Sequence, residues 1–254
     1  MSPGLASAAN YSFYWYFGYG TNAPCTGNWS YDSGTFYCSG SVSLGSGDTL
    51  TADWPLGDVN VSASGGFTLR GNVIGTSSRS VSLNSGYSPL TATGTNTVYG
   101  SMTSTSGAIS LTTTTVNGAV EAGSGGVTLV RTAVTGTLLS SGATSLTDTS
   151  ISGTARVNNN LTASGTTFKS NLTVTGTSLL SASTLEANLV NGGDVTATSG
   201  TVIAGSVSNS YGTILVGVDA SGATLRARRS WVTRRCSAAA CLPRLVLLRL
   251  LAAL

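Results

Sequence analysis

The sequence predicts an all-β chain wound as a single-stranded parallel β-helix of about 18 residues per coil. Three observations predict it. Glycines recur at a near-constant interval: Val98-Tyr-Gly100, Val116-Asn-Gly118, Val134-Thr-Gly136 and Ile151-Ser-Gly153 place theirs 18, 18 and 17 residues apart. Between them run Gly107-Ala-Ile109-Ser-Leu111, Gly126-Val127-Thr-Leu129 and Gly142-Ala-Thr-Ser-Leu146, whose closing leucines are again 18 and 17 apart. Second, no proline occurs between Pro89 and Pro243, as expected where strands are hydrogen-bonded on both edges. Third, only 8% of the chain is charged, against about 25% in an ordinary domain. Equivalent residues of stacked coils lie about 4.8 Å apart. Like charges would form repulsive ladders at that spacing, whereas Ser, Thr and Asn stack without that cost. A β-sandwich also has many short strands, but it does not explain the return of the same residue classes at fixed spacing.

The chain divides into four parts. Residues 1–9 are read as a leader remnant, because Ala6-Ser7-Ala8 has the small-x-small form that signal peptidase cuts. Residues 10–55 form an aromatic, cysteine-bearing cap, with twelve of the eighteen aromatics lying between residues 11 and 54. Cys25 and Cys38 sit thirteen apart, among Gly, Asn and Ser with no metal-type neighbour. They read as a disulfide rather than two free thiols, which implies an oxidising compartment. The rings, Tyr14, Trp15, Tyr16 and Trp29 among them, cover the open apolar end of the repeat region; a glycan-stacking surface is the sharper alternative.

Residues 56–224 hold the repeat. One unit reads as V-x-G-x-[VL], a polar turn, then G-x-[VI]-x-L and a second turn. Alternation of period two makes each half a strand. In Val134-Thr135-Gly136-Thr137-Leu138, Val, Gly and Leu are expected to face inward and the threonines outward. An inward Gly suits a narrow interior, so Gly100, Gly118, Gly136, Gly153 and Gly176 are taken as the structural glycines. Val73-Ile74-Gly75 precedes the regular register, and looser copies occur in Leu172-Thr-Val174-Thr-Gly176, Val190-Asn-Gly192 and Val202-Ile203-Ala-Gly205-Ser-Val207. Stacked coils bury a continuous Val/Ile/Leu column. About nine coils are expected, in a rod about 45 Å long, with the usual right-handed crossover.

Residues 225–254 differ from the rest. Residues 1–225 carry five basic and nine acidic side chains, net −4, while residues 226–254 carry seven arginines and no acid. The apolar stretch ending at Leu254 is about 14 residues long and contains Arg244 and Arg249, where a membrane span needs about 20 clean residues. No transmembrane span is expected. The segment reads as an out-of-frame or mis-assigned end, with a basic amphipathic helix as the alternative.

At Tyr11-Ser-Phe13, Cys25, and Cys38-Ser-Gly40-Ser-Val-Ser-Leu44-Gly-Ser-Gly47-Asp48-Thr49-Leu50, the chain resembles MshQ-like proteins. These are linked to biogenesis of the mannose-sensitive haemagglutinin pilus of Gram-negative bacteria. In that family a disulfide-bearing segment leads into VxG and GxVxL repeats. The resemblance covers about residues 10–220, and no activity of the family's large C-terminal portion is carried over. The repeats are also similar to those of bactofilins, which are polymer-forming cytoskeletal β-helices. Against bactofilin stand the cysteine pair, the Ala-Ser-Ala site and a single lysine, Lys169.

Composition excludes several chemistries. With no His anywhere, a Ser-His-Asp or Cys-His catalytic group is absent, as is the commonest zinc ligand. Scattered single charges give no nucleic-acid groove, and no glycine pattern opens a helix as a phosphate loop requires. Glu121, Asp148, Glu186 and Asp194 share no coil position, unlike the clustered acids of polysaccharide lyases. Gly47-Asp48-Thr49 lacks the further oxygen ligands of a calcium loop, so Asp48 is read as a turn or capping residue. The expectation is a non-enzymatic, secreted or outer-surface structural or adhesive protein of a Gram-negative bacterium, without cofactor or metal. Its expected partners are a surface glycan or pilus component. A bactofilin-like filament built through the terminal coils is the alternative, and a carbohydrate-active enzyme ranks third.

Overall fold

The structure is a computed structural model that describes residues 8–15, 19–53, 56–198 and 200–216. Nearly all of the leader, the last expected repeat residues and the basic tail therefore lie outside the described residues. Within them the chain is an all-β solenoid of about nine coils, as the repeat spacing requires.

Each coil lays one strand on each of three parallel sheets, so the rod has three faces. The first face runs from Thr49–Ala52 through Thr114–Val116 to Val202–Ile203. The second runs from Thr35–Cys38 through Val120–Ala122 to Val207–Asn209, and the third from Val42–Ser43 through Val127–Val130 to Ile214–Val216. On the second face Val120 lies opposite Leu138 and Leu138 opposite Ala155, eighteen and seventeen residues on. Nearer the cap the coils are longer, with Phe36 opposite Val61 and Val61 opposite Leu83. Part of that extra length is the loop after Gly75, closed by paired hydrogen bonds between Thr76 and Arg79.

The expected two-strand repeat is thereby corrected to three strands. The G-x-[VI]-x-L half is indeed one strand, on the third face. The V-x-G-x-[VL] half is not: in Val116-Asn117-Gly118-Ala119-Val120 one strand ends at Val116, a corner intervenes, and the next strand begins at Val120. The recurrent glycine is at that corner rather than on the inner wall. A Cβ on Gly118, Gly136 or Gly153 would be driven into the carbonyl of the corner glycine one coil earlier, and one on Gly100 into the Val81 carbonyl. Close stacking of corner backbone therefore selects Gly, and the opposite wall is not involved. Gly176 leaves the column altogether, because it turns the chain from the second face to the third. Gly192 turns the chain at that same corner.

Inside, apolar side chains from the three faces fill one continuous core. In a single coil Val116, Val120, Val127 and Leu129 are all buried. Full burial of each such side chain stabilises by about 1.5–3 kcal/mol, an upper bound for a chain with a partly collapsed unfolded state. Outward positions hold mainly Ser and Thr, as on the third face at Thr91, Ser110, Thr128, Ser145 and Thr162.

Candidate functional site: the sealed end and the corner groove

The N-terminal segment closes the rod by switching pairing direction. Asn10–Trp15 extends the first face in parallel, and Tyr19–Thr21 then adds antiparallel to it. On the second face Trp29–Asp32 folds back antiparallel on Thr35–Cys38. The free edges are blunted further by side chains. Asn22 Oδ1 accepts from the Ser12 amide at 2.7 Å, and its Nδ2 donates to the Asn10 carbonyl at 3.4 Å. Thr26 hydrogen-bonds Ser41 through its amide and its hydroxyl.

Under these strands the end of the apolar column is plugged by rings. Phe13 and Phe36 are fully buried, 4.5 Å apart between centroids. Trp29 meets Phe13 edge-on at 5.7 Å and Tyr31 packs on Phe36 at 4.8 Å. The half-buried Trp29 donates its indole N–H to the Ala23 carbonyl at 2.8 Å, so its polar end is satisfied while its face seals the core. Cys25 and Cys38 form the disulfide, with Cα atoms 5.8 Å apart. Of the other aromatics singled out, Tyr14 is half-buried, Trp15 ends a strand with its side chain outside the described residues, and Tyr16 lies outside them entirely. Phe13 and Phe36, which the sequence pattern did not single out, form the plug.

A second feature runs the length of the rod where the third face turns into the first. There Gly47, Gly71, Gly94, Thr113, Arg131, Asp148, Gly165, Ala182 and Gly200 all have positive φ. This conformation is costless for Gly but costs an L-residue about 1–2 kcal/mol. Just after each of them a buried polar residue points inward: Asp48, Asn72, Asn96, Thr114, Thr132, Thr149, Thr166, Ser183 and Thr201. The hydroxyls hold the tight corner together. Thr149 donates to the Leu129 and Thr147 carbonyls at 3.3 and 3.0 Å, and Ser183 to those of Ala163 and Ser181 at 3.3 and 2.8 Å. Asn72 donates to the Gly45 and Asp48 carbonyls. Asp48 accepts from the Gly45 and Ala9 amides at 2.6 and 2.8 Å, the capping role its sequence context suggested. Among the described residues no buried side-chain nitrogen or oxygen lacks a partner.

Along the outside of this corner lies an open groove of about 460 Å³. Its lining includes Thr95, Thr113, Arg131, Asp148 and Gly165, one residue from each of five successive coils, with Thr115, Ser150 and Thr167 beside them. Sequence patterning alone did not reveal this juxtaposition. Arg131 and Asp148 are 17 residues apart, one coil, and that spacing was the available signal.

The acids are otherwise dispersed as the repeat numbering implied. Glu121 is outward on the second face, while Glu186 and Asp194 occupy the other two corners. The Thr213 amide and hydroxyl donate to Asp194 at 2.7 and 2.9 Å and hold its pKa below the usual carboxylate value. Ser80 does the same for Asp58, chiefly through its amide at 2.8 Å. Among the described residues no three His, Cys, Asp or Glu side chains are grouped to hold a metal. Nor, among them, is any helix long and apolar enough to cross a membrane. The chain matches no known family model, and comparison with curated proteins and with solved structures finds no significant match.

Proposed function

We propose that this protein is a non-catalytic rod of a secreted or outer cell surface, structural or adhesive, working alongside a pilus-biogenesis system as the MshQ-like resemblance implies. One observation carries the reading: a disulfide-tied aromatic plug closes a hydroxyl-coated solenoid. A Cys25–Cys38 bridge persists in oxidising compartments, and a coat of Ser and Thr presents dense hydrogen-bonding capacity with little charge. Fractionation of the native cells tests it. The bridged protein is expected at the outer surface or in the medium; cytosolic protein with free thiols at positions 25 and 38 would reject it.

The filament alternative needs both ends of the rod to template stacking. Antiparallel hairpins on two faces oppose it at the N-terminal end, because an incoming coil pairs in parallel and would meet strands of three or four residues running the other way. Protein that stays monomeric at high concentration in electron microscopy supports the rod, and end-to-end polymers support the filament.

A further inference from the structure

We propose that the groove centred on Arg131 and Asp148 binds a neutral oligosaccharide chain, lying lengthwise along the rod. This deepens the adhesive reading above and rests on it for the source of the glycan.

The corner column supplies the first argument. Glycine would satisfy its positive φ without strain, and Gly47, Gly71, Gly94, Gly165 and Gly200 do so. In three consecutive coils between them the position is instead Thr113 at φ 53°, Arg131 at 49° and Asp148 at 50°, and one coil beyond Gly165 it is the small Ala182 at 46°. A β-branched Thr and a long Arg are outliers in that region. Backbone strain of this kind clusters at binding and active sites. Those three residues line the groove, and the return to Gly at Gly165 marks its lower boundary.

Chemistry and dimensions supply the second. Asp148 is exposed and its carboxylate lies over Gly165, so a Cβ there would strike its Oδ1. Arg131 is exposed one coil away. One guanidinium and one carboxylate sum to no net charge, which disfavours an acidic polymer. Together with the hydroxyls of Thr95, Thr113, Thr115, Ser150 and Thr167, they offer donors and acceptors suited to sugar hydroxyls. Five corners at one coil rise span about 19 Å. An extended polysaccharide repeats close to once per coil rise, so successive sugars meet successive corners.

The test uses the full chain and purified hexasaccharides: neutral β-1,4-linked and α-linked glucose and mannose oligomers, with a galacturonate oligomer as the acidic comparator. Isothermal titration is expected to find binding of at least one neutral oligomer and weaker binding of the acidic one. Arg131→Gly and Asp148→Gly adopt what the column elsewhere carries, so the fold accommodates them. Each is expected to weaken binding at least tenfold with the melting temperature unchanged or raised. The proposal is overturned by absence of neutral-oligomer binding, by preference for the acidic oligomer, or by variants that bind within twofold of the parent. Loss of binding together with a lowered melting temperature would assign both residues to the fold and also overturn it. Cell fractionation and this titration are independent, so the surface reading and the groove can each fail alone.

Discussion

The cap and the coils solve the same problem, an exposed apolar column, by opposite means. Coils repeat one solution: through the regular part of the rod a strand finds an equivalent strand seventeen or eighteen residues away, and Thr114, Thr132, Thr149 and Thr166 repeat the same inward hydroxyl. A slip by one coil would preserve most of those contacts. Cap contacts occur once. The Phe13–Phe36 pair, the Trp29 bond to Ala23, Asn22 on the edge of Asn10–Trp15 and the Cys25–Cys38 bridge have no equivalent elsewhere among the described residues. The lesson is a division of labour, in which coils supply length and burial while the cap fixes register and ends the sheets.

Removing the plug breaks this comparison most severely. Phe36→Ala is expected to destabilise by about 3–5 kcal/mol in denaturant unfolding, with hydrogen exchange rising first in the coil of Val59–Ala63. Uniform exchange along the rod would deny the cap its separate role. Replacing both cysteines, Cys25→Ser with Cys38→Ser, opens a loop of thirteen residues and is expected to cost about 3 kcal/mol. A loss well under 1 kcal/mol would show that the hairpins alone hold the cap.

The coils are expected to be less sensitive at their polar corners. Thr149→Val removes the donor shared by the Leu129 and Thr147 carbonyls and should cost about 1–3 kcal/mol, read by denaturant unfolding. An unchanged stability would mean those carbonyls are satisfied without it. The smallest effect is electrostatic. Asp58 and Asp194 have lowered folded pKa values, so their stabilisation is present above the unfolded carboxylate pKa and is lost as pH falls through the folded value. Asp194→Asn should remove its share of that acid sensitivity. An NMR titration midpoint at or above the ordinary carboxylate value would contradict the Thr213 hydrogen bonds.

The third-face strands were legible in the sequence because Ile109-Ser-Leu111 and its successors alternate cleanly and are bounded by Gly. The corner imitates a strand for a geometric reason. From Val116 to Val120 the inward residues are four apart whether the chain runs straight or turns through Asn117-Gly118-Ala119, so alternation cannot distinguish the two. The crowd of rings at the N-terminus announced a cap, but nothing in it separated Phe13 and Phe36 from their neighbours, because selection of the plug depends on which strands pair. The positive-φ column was hidden at its most informative coils. Thr113, Arg131 and Asp148 lack the glycine that marks such a conformation, and only their spacing from Gly94 and Gly165 betrays them.

The central claim is the in-register stacking of three-strand coils. Spin labels replacing the outward residues Thr91 and Thr196 test it most directly, since register places them six coil steps apart on the third face. Pulsed dipolar spectroscopy is expected to give one narrow distribution near 29 Å, six rises of about 4.8 Å. A distribution centred many ångströms away, or one with several maxima, would contradict the stack.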